Sequence, residues 1–447
     1  MDSLFSSLFP PADQSAWLKQ VQKELKDEGA YESLRWHTAE GFIQEPYYTS
    51  DALTHLPLAS IQETQKQVPG WLNAPERLIS NEKADNTVLC DDLNRGADSL
   101  VLALSKKPDF AQLLKGIKLS ETPVFFRLNA TTIDLNTIEL VNALKMIAPY
   151  QLKGGLLIDT NDATAEVTRL TADSPQFRTI CASSHAFHNA GATATQELAF
   201  TLASLADSYD RLTDAGLTID QLVPKTILSV SVGTSYFQEI AKLRALRVLY
   251  SRFVSHYSLS ISHYQLFIHA QTSTFFNSTA TPYTNLLRGT TEAMAAVMGG
   301  CDALTVHPYN TVLAQSDNQE FTERIARNVS LLLKDESYLA KVADPSAGSY
   351  YIETMTHQLA EAAWTLFLDV EKQGGFAKAF AAGFIASEID QSYQAKVDAV
   401  RGGKVLVGVT KFRFDEPGTQ ATTTLESVTA NSSTGSLPDR RLAQAFE

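Results

Sequence analysis

The sequence predicts an α/β fold, specifically a (β/α)8 TIM barrel with an extended N-terminal arm and a C-terminal linker. Three observations lead to this prediction. Eight short apolar runs follow one another at regular intervals, and helical patterns with apolar residues at three- and four-residue spacing lie between them. Polar side chains stand at the ends of the fifth and seventh runs. An open doubly wound sheet is the alternative architecture.

The eight apolar runs are the strand candidates. In chain order they are Asn86 to Cys90, Ser99 to Leu104, Pro123 to Leu128, Gly155 to Asp159, Thr179 to Ser184, Ile227 to Val232, Leu266 to Gln271 and Ala303 to His307. The predicted helices between them include Ile133 to Ile147, Ala194 to Ala215, Tyr236 to Ser255 and Thr284 to Met298. Two further helices, Phe321 to Lys334 and His357 to Lys372, should follow the last strand and cover the outside.

Three segments are expected along the chain. Residues 1–75 form an arm, with a short amphipathic helix from Trp17 to Lys26 and then aromatic and proline residues with little periodicity. Such an arm needs another surface, either the body of the chain or a partner subunit. Residues 76–410 form the barrel, and residues 411–447 form a linker rich in Thr, Ser, Gly, Asn and Pro. Because the linker reaches Arg440 to Glu447 as though a helix were beginning, a missing C-terminal module is expected.

The overall charge excludes some classes of partner. The chain has 50 acidic and 37 basic residues among 447, for a formal net charge of −13. This balance, without a clustered basic stripe, argues against a nucleic-acid or anionic-membrane surface. The N-terminus lacks a secretory signal, and no stretch approaches roughly 18 continuous apolar residues. We therefore expect a cytoplasmic protein that contacts no membrane.

Cysteine and histidine spacing gives no sign of a metal centre or a disulfide framework. Cys90, Cys181 and Cys301 lie far apart and contain no C-x-x-C pair, which predicts buried thiols. His185 and His188 flank the end of the fifth strand, but no third ligand follows at a suitable spacing. No metal is therefore expected.

Other candidate residues are interpreted structurally. Lys242, Arg244 and Arg247 lie on the helix after the sixth strand, where charge pairing at a surface facing solvent or a neighbouring subunit is the plain explanation. His307, at the end of the eighth strand, is equally well explained as a structural residue. The sequence contains no G-x-G-x-x-G, P-loop or G-x-S-x-G motif, so it does not indicate a nucleotide-binding loop or a hydrolase.

Polar residues on strands five, six and seven predict a bore lined by small hydrophilic groups, which could admit a slender polar chain. They are Ser183, Ser184, Ser229, Ser231, His269 and Gln271. Side chains two apart on a strand share a face, so those of strand six should point one way and its valines the other. The alternative is that the serines face outward and bond backbone carbonyls. Whether the bore is open is undecided, because Phe125, Phe126, Phe187 or Phe275 could fill it.

Specific sequence runs extend over nearly the whole chain. They are Trp36-His-Thr-Ala-Glu-Gly-Phe, Pro46-Tyr-Tyr-Thr, Asn189-Ala-Gly-Ala-Thr, Glu239-Ile-Ala-Lys-Leu-Arg-Ala-Leu-Arg247, His269-Ala-Gln-Thr-Ser273, Glu292-Ala-Met-Ala-Ala, Arg324-Ile-Ala-Arg-Asn328, Asp344-Pro-Ser-Ala-Gly-Ser-Tyr-Tyr351, Glu371-Lys-Gln-Gly-Gly-Phe376 and Val407-Gly-Val. Together they resemble the methylmalonyl-CoA mutase family, specifically its small, or beta, subunit. The resemblance implies a barrel through whose bore the pantetheine arm of coenzyme A passes. It also implies a radical rearrangement of methylmalonyl-CoA and succinyl-CoA that depends on adenosylcobalamin.

The chain departs from the catalytic members of that family. His185 and Ala186 align with the family's Tyr-His pair, whose histidine donates a hydrogen bond to the thioester carbonyl, and alanine has no donor. The Arg-Gln-Tyr run near the first strand is replaced by the run that begins at Asp85. The insertion bearing the carboxylate-binding arginine is missing after Asp159. No acidic residue follows His307 within the next seven positions, and the cobalt-ligating Asp-x-His-x-x-Gly motif is absent from these 447 residues.

These departures predict a subunit that has no catalytic residue and no metal of its own but keeps His269 and Gln271 at substrate-facing positions. The expected role is a non-catalytic small subunit that supports a catalytic large subunit in a heterodimer, with adenosylcobalamin bound by the partner or by a missing domain. The alternative is a barrel that binds acyl-CoA, or an isomerase with altered chemistry, with His269 and Gln271 as contacts. A third possibility, that a separate cobalamin-binding chain completes an active enzyme, is weakened by Ala186, since an added domain would not restore the missing donor.

Overall fold

The computed structural model describes residues 13–25, 29–128, 135–257, 266–313, 318–414 and 437–447. Its strands are β1 Trp36–His37, β2 Ile43–Gln44, β3 Leu72–Asn73, β4 Glu76–Ile79, β5 Leu100–Leu104, β6 Val124–Leu128, β7 Gly154–Leu156, β8 Phe177–Arg178, β9 Ile180–Ser183, β10 Thr226–Val232, β11 Phe267–Thr272 and β12 Ala303–Thr305.

The α-helices alternate with these strands. They are α1 Gln14–Leu25, α2 Leu58–Glu63, α3 Glu82–Asn94, α4 Phe110–Leu113, α5 Thr137–Ile147, α6 Thr164–Leu170, α7 His185–Ala190, α8 Ala194–Asp214, α9 Ile219–Leu222, α10 Tyr236–Ser255, α11 Pro282–Met298, α12 Gln319–Leu331, α13 Tyr350–Lys372, α14 Phe376–Ala381 and α15 Phe384–Arg401. A π-helical turn, Leu332–Glu336, continues α12. Short 3-10 turns complete the connections.

The predicted α/β class with parallel strands is confirmed. Strands β3 to β12 form two five-stranded parallel sheets, with the orders β3-β12-β11-β10-β9 and β4-β5-β6-β7-β8. The sheets adjoin at two places, because only Ala74 and Pro75 separate β3 from β4, and only Thr179 separates β8 from β9. The Ala74 amide donates to Leu304 in one sheet, whereas the Pro75 carbonyl accepts from Val101 in the other.

Seven of the eight predicted strands overlap observed ones, but the first, Asn86 to Cys90, is wrong. Those residues lie within α3, which begins after Asn81, whose side chain accepts a hydrogen bond from the Ala84 amide. A short apolar run fits a strand and a buried helical face equally well, and here the N-cap decides for the helix. The first parallel strands are instead β3 and β4.

The predicted helices largely agree with the observed ones. The helix predicted from Phe321 to Lys334 corresponds to α12 with the π-helical turn, and the helix predicted from His357 begins seven residues earlier, at Tyr350. Lys26 and residues 133–134, which the predicted helices include, lie outside the described residues.

One apolar cluster joins the two sheets. It contains Leu72, Ala74, Val101, Phe125, Leu157, Cys181, Ile227, Phe267 and Ala303. Larger apolar clusters fill the layers between the sheets and the surrounding helices. All three thiols are free. Cys181 and Cys301 are buried as expected, whereas Cys90 on α3 is only half-buried.

The arm rests on helices of the same chain, which is one of the two surfaces expected for it. Gln44 bonds to Gln358 of α13 at 2.8 Å, and Glu40 accepts a hydrogen bond from the backbone amide of Ala194 at 3.1 Å. Trp36 and Ile43 nevertheless stay exposed. Contact of the arm with a partner subunit remains a prediction.

Residues 437–447 do not begin an α-helix. They contain a single 3-10 turn, Leu442–Ala445, and lie against the rest of the chain. Within the described ranges, no helix has the length and apolar character needed to cross a bilayer.

Candidate functional site

Polar side chains of β10, β11 and β12 lie side by side near the carboxyl ends of these strands. The register pairs Ser229 of β10 with His269 of β11, and two residues further along it pairs Ser231 with Gln271. Gln271 in turn pairs with Thr305 of β12. The alternation along β10 places Val230 and Val232 among the helices, so its serines share the opposite face, as predicted.

Six groups on this face form one continuous series of hydrogen bonds, which we name the central polar chain. Its members, each bonded to the next, are the Ala74 carbonyl, Thr305, His269, Ser229, His185 and Ser231, at successive distances of 2.7, 2.9, 2.8, 2.7 and 2.7 Å. The alternative in which the serines face outward and bond backbone carbonyls is therefore wrong for Ser229 and Ser231.

The direction of every bond in the central polar chain follows from its first member. Since Thr305 donates to a backbone carbonyl, its oxygen accepts from Nε2–H of His269. A neutral imidazole then accepts at Nδ1, so the Ser229 hydroxyl donates to it. Ser229 in turn accepts from Nε2–H of His185, and Ser231 donates to Nδ1 of His185. The ring nitrogens of both histidines are thus fully used.

The neutral state that this pattern needs agrees with the surroundings of the two rings. Burial, followed by the positive charge of Arg127 and the neighbouring His307, lowers the pKa of His269 to about 3. Burial, then Arg127 and His269, lowers the pKa of His185 well below its ordinary value. At neutral pH both imidazoles are therefore uncharged, and neither can act as an acid from a protonated state.

Arg127 of β6 closes the same face from the other sheet. Its guanidinium donates to Oε1 of Gln271 at 3.0 Å and lies 3.3 Å from the carboxylate of Glu76 on β4. One side chain thus connects β4, β6 and β11. The charge of Arg127 is balanced by Glu76, and the amide oxygen of Gln271 is occupied by Arg127.

An aromatic stack lies beside the central polar chain. The ring of Phe125 is 6.3 Å from His269 and 5.8 Å from Phe267, and the guanidinium of Arg178 lies 4.1 Å from the Phe267 ring centroid. Arg178 thereby forms a cation–π contact at the amino end of the strands. The column of contacts is continuous from Arg178 to His269.

Of the four aromatic residues considered as fillings of the bore, only Phe125 belongs to the cluster that joins the sheets. Phe126 packs with Phe110 in the helix-facing layer, and Phe187 packs in the other helix-facing layer. Phe275 packs against α15 and Leu442. The sequence could not separate them, because aromatic residues suit both faces of a buried strand.

Ser183 and Ser184, predicted together as lining residues, are placed differently. Ser184 is buried on the helix side, where its hydroxyl donates to Glu197 of α8 at 3.2 Å, so its assignment to the bore is wrong. Ser183 is half-buried, and its hydroxyl accepts the His185 amide at 3.3 Å. Ala186, the next residue of α7, is half-buried and offers no side-chain donor.

A second polar cluster lies behind β9 and β10. His188 bonds to Glu197 through Nδ1 at 2.8 Å and to Ser273 through Nε2 at 2.7 Å. Lys242 of α10 forms ion pairs with Glu197 at 3.0 Å and with Glu239 at 2.6 Å. Burial lowers the pKa of Lys242, whereas the charges of Glu197 and Glu239 raise it. The net effect is a raised pKa. This cluster fastens α8 and α10 to the strands.

The predicted placement of Lys242, Arg244 and Arg247 at a surface is wrong. Their exposed fractions are 2, 1 and 3%, because α10 is covered by the sheet and by neighbouring helices. Arg244 pairs with Glu353 of α13 at 2.7 Å and also with Asp344. Arg247 pairs with Asp302 at 2.9 Å and caps two backbone carbonyls. The charge pairing was expected, but not its burial.

Three small clefts lie away from the central polar chain in the described part of the structure. Each has a cavity volume of about 10 Å³ and lies between the sheets and the outer helices, and none of the three is lined by His185, His269 or Gln271. Within the described part of the chain, no group of three or more His, Cys, Asp or Glu residues is placed to hold a metal ion. His307 is half-buried, and its partial removal from water lowers its pKa.

Comparisons with known proteins identify the family. The chain matches the family described as Methylmalonyl-CoA mutase over residues 159–437. It is 34% identical over 421 residues to the methylmalonyl-CoA mutase small subunit of Porphyromonas gingivalis, which covers 88% of this chain and 68% of that protein. It is 30% identical over 462 residues to the methylmalonyl-CoA mutase of Cereibacter sphaeroides, covering 90% of this chain and 64% of the relative. The small subunit from Streptomyces virginiae is 29% identical over 440 residues, which is 90% of this chain and 71% of that protein. The chain thus spans about two thirds of the length of these relatives. It belongs to the methylmalonyl-CoA mutase family.

Proposed function

We propose that this chain is a non-catalytic small subunit of a heterodimeric, adenosylcobalamin-dependent methylmalonyl-CoA mutase, and that it supports a catalytic large subunit. One observation carries the proposal: the polar groups where the family would bind substrate are bonded to one another in the central polar chain. A catalytic site needs donors aimed at the reacting group, and here His185 and His269 have none left. Ala186 supplies none either.

We further propose that the two sheets form one closed eight-stranded barrel. In this arrangement β3 with β4 is the first strand and β8 with β9 is the fifth, so each composite strand pairs on both sides. The parallel bridge between Asp159 and Cys181 supports the second junction. The cluster that joins the sheets also supports closure, because it draws one or two residues from each of the eight strands or from the residue that directly follows one.

Such a barrel would have no continuous passage for a pantetheine arm. Arg178, Phe267, Phe125 and His269 contact one another in sequence along its axis. Above them, Arg127 connects two strands across the opening. Threading an acyl-CoA would require breaking the ion pair of Arg127 with Glu76 and the hydrogen bond of Arg127 with Gln271, which is costly. A structural role accounts for a filled bore, whereas a catalytic role does not.

The three histidines of the two polar clusters, His185, His188 and His269, do not fit the role of a cobalt ligand. A histidine that ligates cobalt needs a free ring nitrogen, and both ring nitrogens of His185, His188 and His269 are already bonded. The family's Asp-x-His-x-x-Gly motif does not occur in the 447 residues. We therefore propose that the cofactor is bound by the partner subunit or by another module. A cytoplasmic location remains a prediction.

The test is to assay mutase activity with the purified chain alone and after mixing it with a large-subunit homologue. We expect no conversion of methylmalonyl-CoA by the chain alone, even with adenosylcobalamin, and a stable one-to-one complex that turns over. A matched sample of the large subunit alone measures the support that this chain provides. Turnover by the isolated chain would overturn the proposal.

A second candidate function, binding of acyl-CoA without mutase chemistry, is favoured by one observation. His269 and Gln271, which the family places toward the substrate, are present and lie two residues apart on the same face of β11. Calorimetry with propionyl-CoA and the isolated chain separates the two functions. A filled bore predicts no heat of binding at micromolar to millimolar ligand, whereas saturable binding that Gln271→Ala weakens would favour the second function.

A further inference from the structure

Residues 437–447 occupy a groove on the side of the molecule where the parallel strands end. The groove has three walls, which are the end of α7 at Asn189 and Ala190, the loop of residues 273–281 after β11, and helix α15. The groove is therefore built from parts of the chain that are far from this segment in sequence.

Apolar contacts fix the middle of the segment. Leu442 and Ala443 are only 4 and 1% exposed. Leu442 belongs to a buried cluster with Phe275 of the loop and with Val397 and Val400 of α15, and Phe446 packs against the same cluster. A leucine so enclosed contributes to binding in proportion to the apolar area that it removes from water.

Polar contacts fix the register of the segment. The Arg440 amide donates to the Asn189 carbonyl at 2.9 Å, and the Leu442 amide donates to the Phe275 carbonyl at 2.9 Å. The guanidinium of Arg440 lies 2.6 Å from a carboxylate oxygen of Asp390 and 4.4 Å from the ring centroid of Tyr393. Each contact involves one particular residue of the segment, so the contacts together set the register of the segment in the groove.

The far end of the segment is held by its carboxylate side chain. Glu447 accepts hydrogen bonds from the backbone amide and the hydroxyl of Thr279 at 2.6 and 2.7 Å, and it pairs with Arg441 at 3.0 Å. Arg441 also donates to the Asn277 carbonyl at 3.2 Å. Hydrogen bonds from Thr279 and the charge of Arg441 outweigh burial and lower the pKa of Glu447.

The segment joins the rest of the chain through residues 415–436, whose composition is that of a linker. A linker sets the local concentration of a segment but not its register, so the register must come from the contacts themselves. We propose that the groove is a peptide-binding site and that residues 437–447 are its ligand, a separable docking segment of the form Arg-Arg-Leu-Ala-x-x-Phe-Glu bound by the same molecule.

Occupancy of the groove also has a consequence for the second polar cluster. The loop that the segment binds begins at Ser273, which bonds to His188 and whose amide donates to Glu292. The docked segment thus covers this loop and holds it against the second polar cluster.

The test uses the full chain with a protease site substituted into residues 415–436. After cleavage, native mass spectrometry and gel filtration should show the peptide still bound, and a labelled peptide of residues 437–447 should replace it at one site. We expect Leu442→Asp in the labelled peptide to lower its affinity at least tenfold, and Arg440→Ala to lower it several-fold. The exposed Gln444→Ala serves as the matched control and should bind like the unaltered peptide.

Two results would overturn the proposal. One is release of the peptide on cleavage with no uptake of the labelled peptide, which would mean that the contacts do not bind without the covalent link. The other is a dimer of the uncleaved chain that Leu442→Asp dissociates, which would mean that the segment binds a second copy rather than its own groove. Because the peptide variants bind an unaltered chain, a folding defect cannot explain a loss of affinity.

Discussion

The burial of Arg244 offers the sharpest quantitative test, because sequence and structure predict different outcomes for the same substitution. The guanidinium lies 2.7 Å from the carboxylate of Glu353, which is itself fully buried, and it also pairs with Asp344. Arg244→Ala would leave Glu353 charged and without its cation. Removing one partner of a buried pair costs about 3–5 kcal/mol.

The lower part of that range applies here. Glu353 would keep two hydrogen bonds, from Gln62 at 3.0 Å and from the Gly348 amide at 2.9 Å. We therefore expect Arg244→Ala to lower the free energy of unfolding by about 3 kcal/mol. The urea dependence of a 447-residue chain exceeds the roughly 3 kcal/mol/M of small proteins, so the midpoint should move down by less than about 1 M. A surface pair, as the sequence suggested, would cost at most about 1 kcal/mol.

The assay is urea unfolding followed by circular dichroism and tryptophan fluorescence. Arg401→Ala on α15 is the matched control, because Arg401 and its partner Asp398 are both largely exposed. Its effect should stay within about 1 kcal/mol. A change at Arg244 no larger than the control would refute the reasoning. The double variant Arg244→Met with Glu353→Leu should cost less than the sum of the single changes, because it removes the fully buried carboxylate of Glu353 together with its cation and leaves only the partly exposed Asp344 without a partner from Arg244.

Three further predictions concern the central polar chain and the arm. The pKa of His269 is lowered in the folded state to about 3 from 6.5, so the contribution of its neutral ring to stability is full above pH 6.5 and falls as the pH drops toward 3. Between pH 6.5 and 5.5 this group should lower the free energy of unfolding by about 1 kcal/mol. His269→Gln should reduce that loss, measured by urea titrations at the two pH values. Ser229→Ala removes a hydroxyl that bonds two imidazoles, and we expect a loss of about 1–3 kcal/mol by urea unfolding. Trp36→Ala combined with Ile43→Ala on the exposed hairpin of the arm should weaken binding of a large-subunit homologue at least tenfold in a calorimetric titration, without lowering the stability of the isolated chain.

Each of these three predictions would be contradicted by one particular result. A pH dependence that His269→Gln leaves unchanged would mean that this imidazole is not held neutral. No loss of stability in Ser229→Ala would mean that the central polar chain is not formed as described. Equal affinity of the arm variant and of a Met146→Ala control, altered at an exposed residue outside the arm, would remove the arm from the subunit interface.

The sequence alone determined the α/β class, seven of the parallel strands and the family resemblance. It also placed Ser229, Ser231, His269 and Gln271 on one face, because side chains two apart on a strand must point the same way. These are local properties, set by periodicity and by short runs of residues. These local properties do not depend on how the rest of the chain packs.

The tertiary structure decided what those residues contact. The bonds of the central polar chain join residues 36 to 231 positions apart, and the partner of Arg244 lies 109 positions away. A histidine that could bind a substrate cannot be distinguished in sequence from one whose two ring nitrogens are both hydrogen-bonded to neighbouring hydroxyls. For the same reason the sequence did not predict the burial of α10 or the docking of residues 437–447. A buried charge or a groove forms only when distant segments pack together.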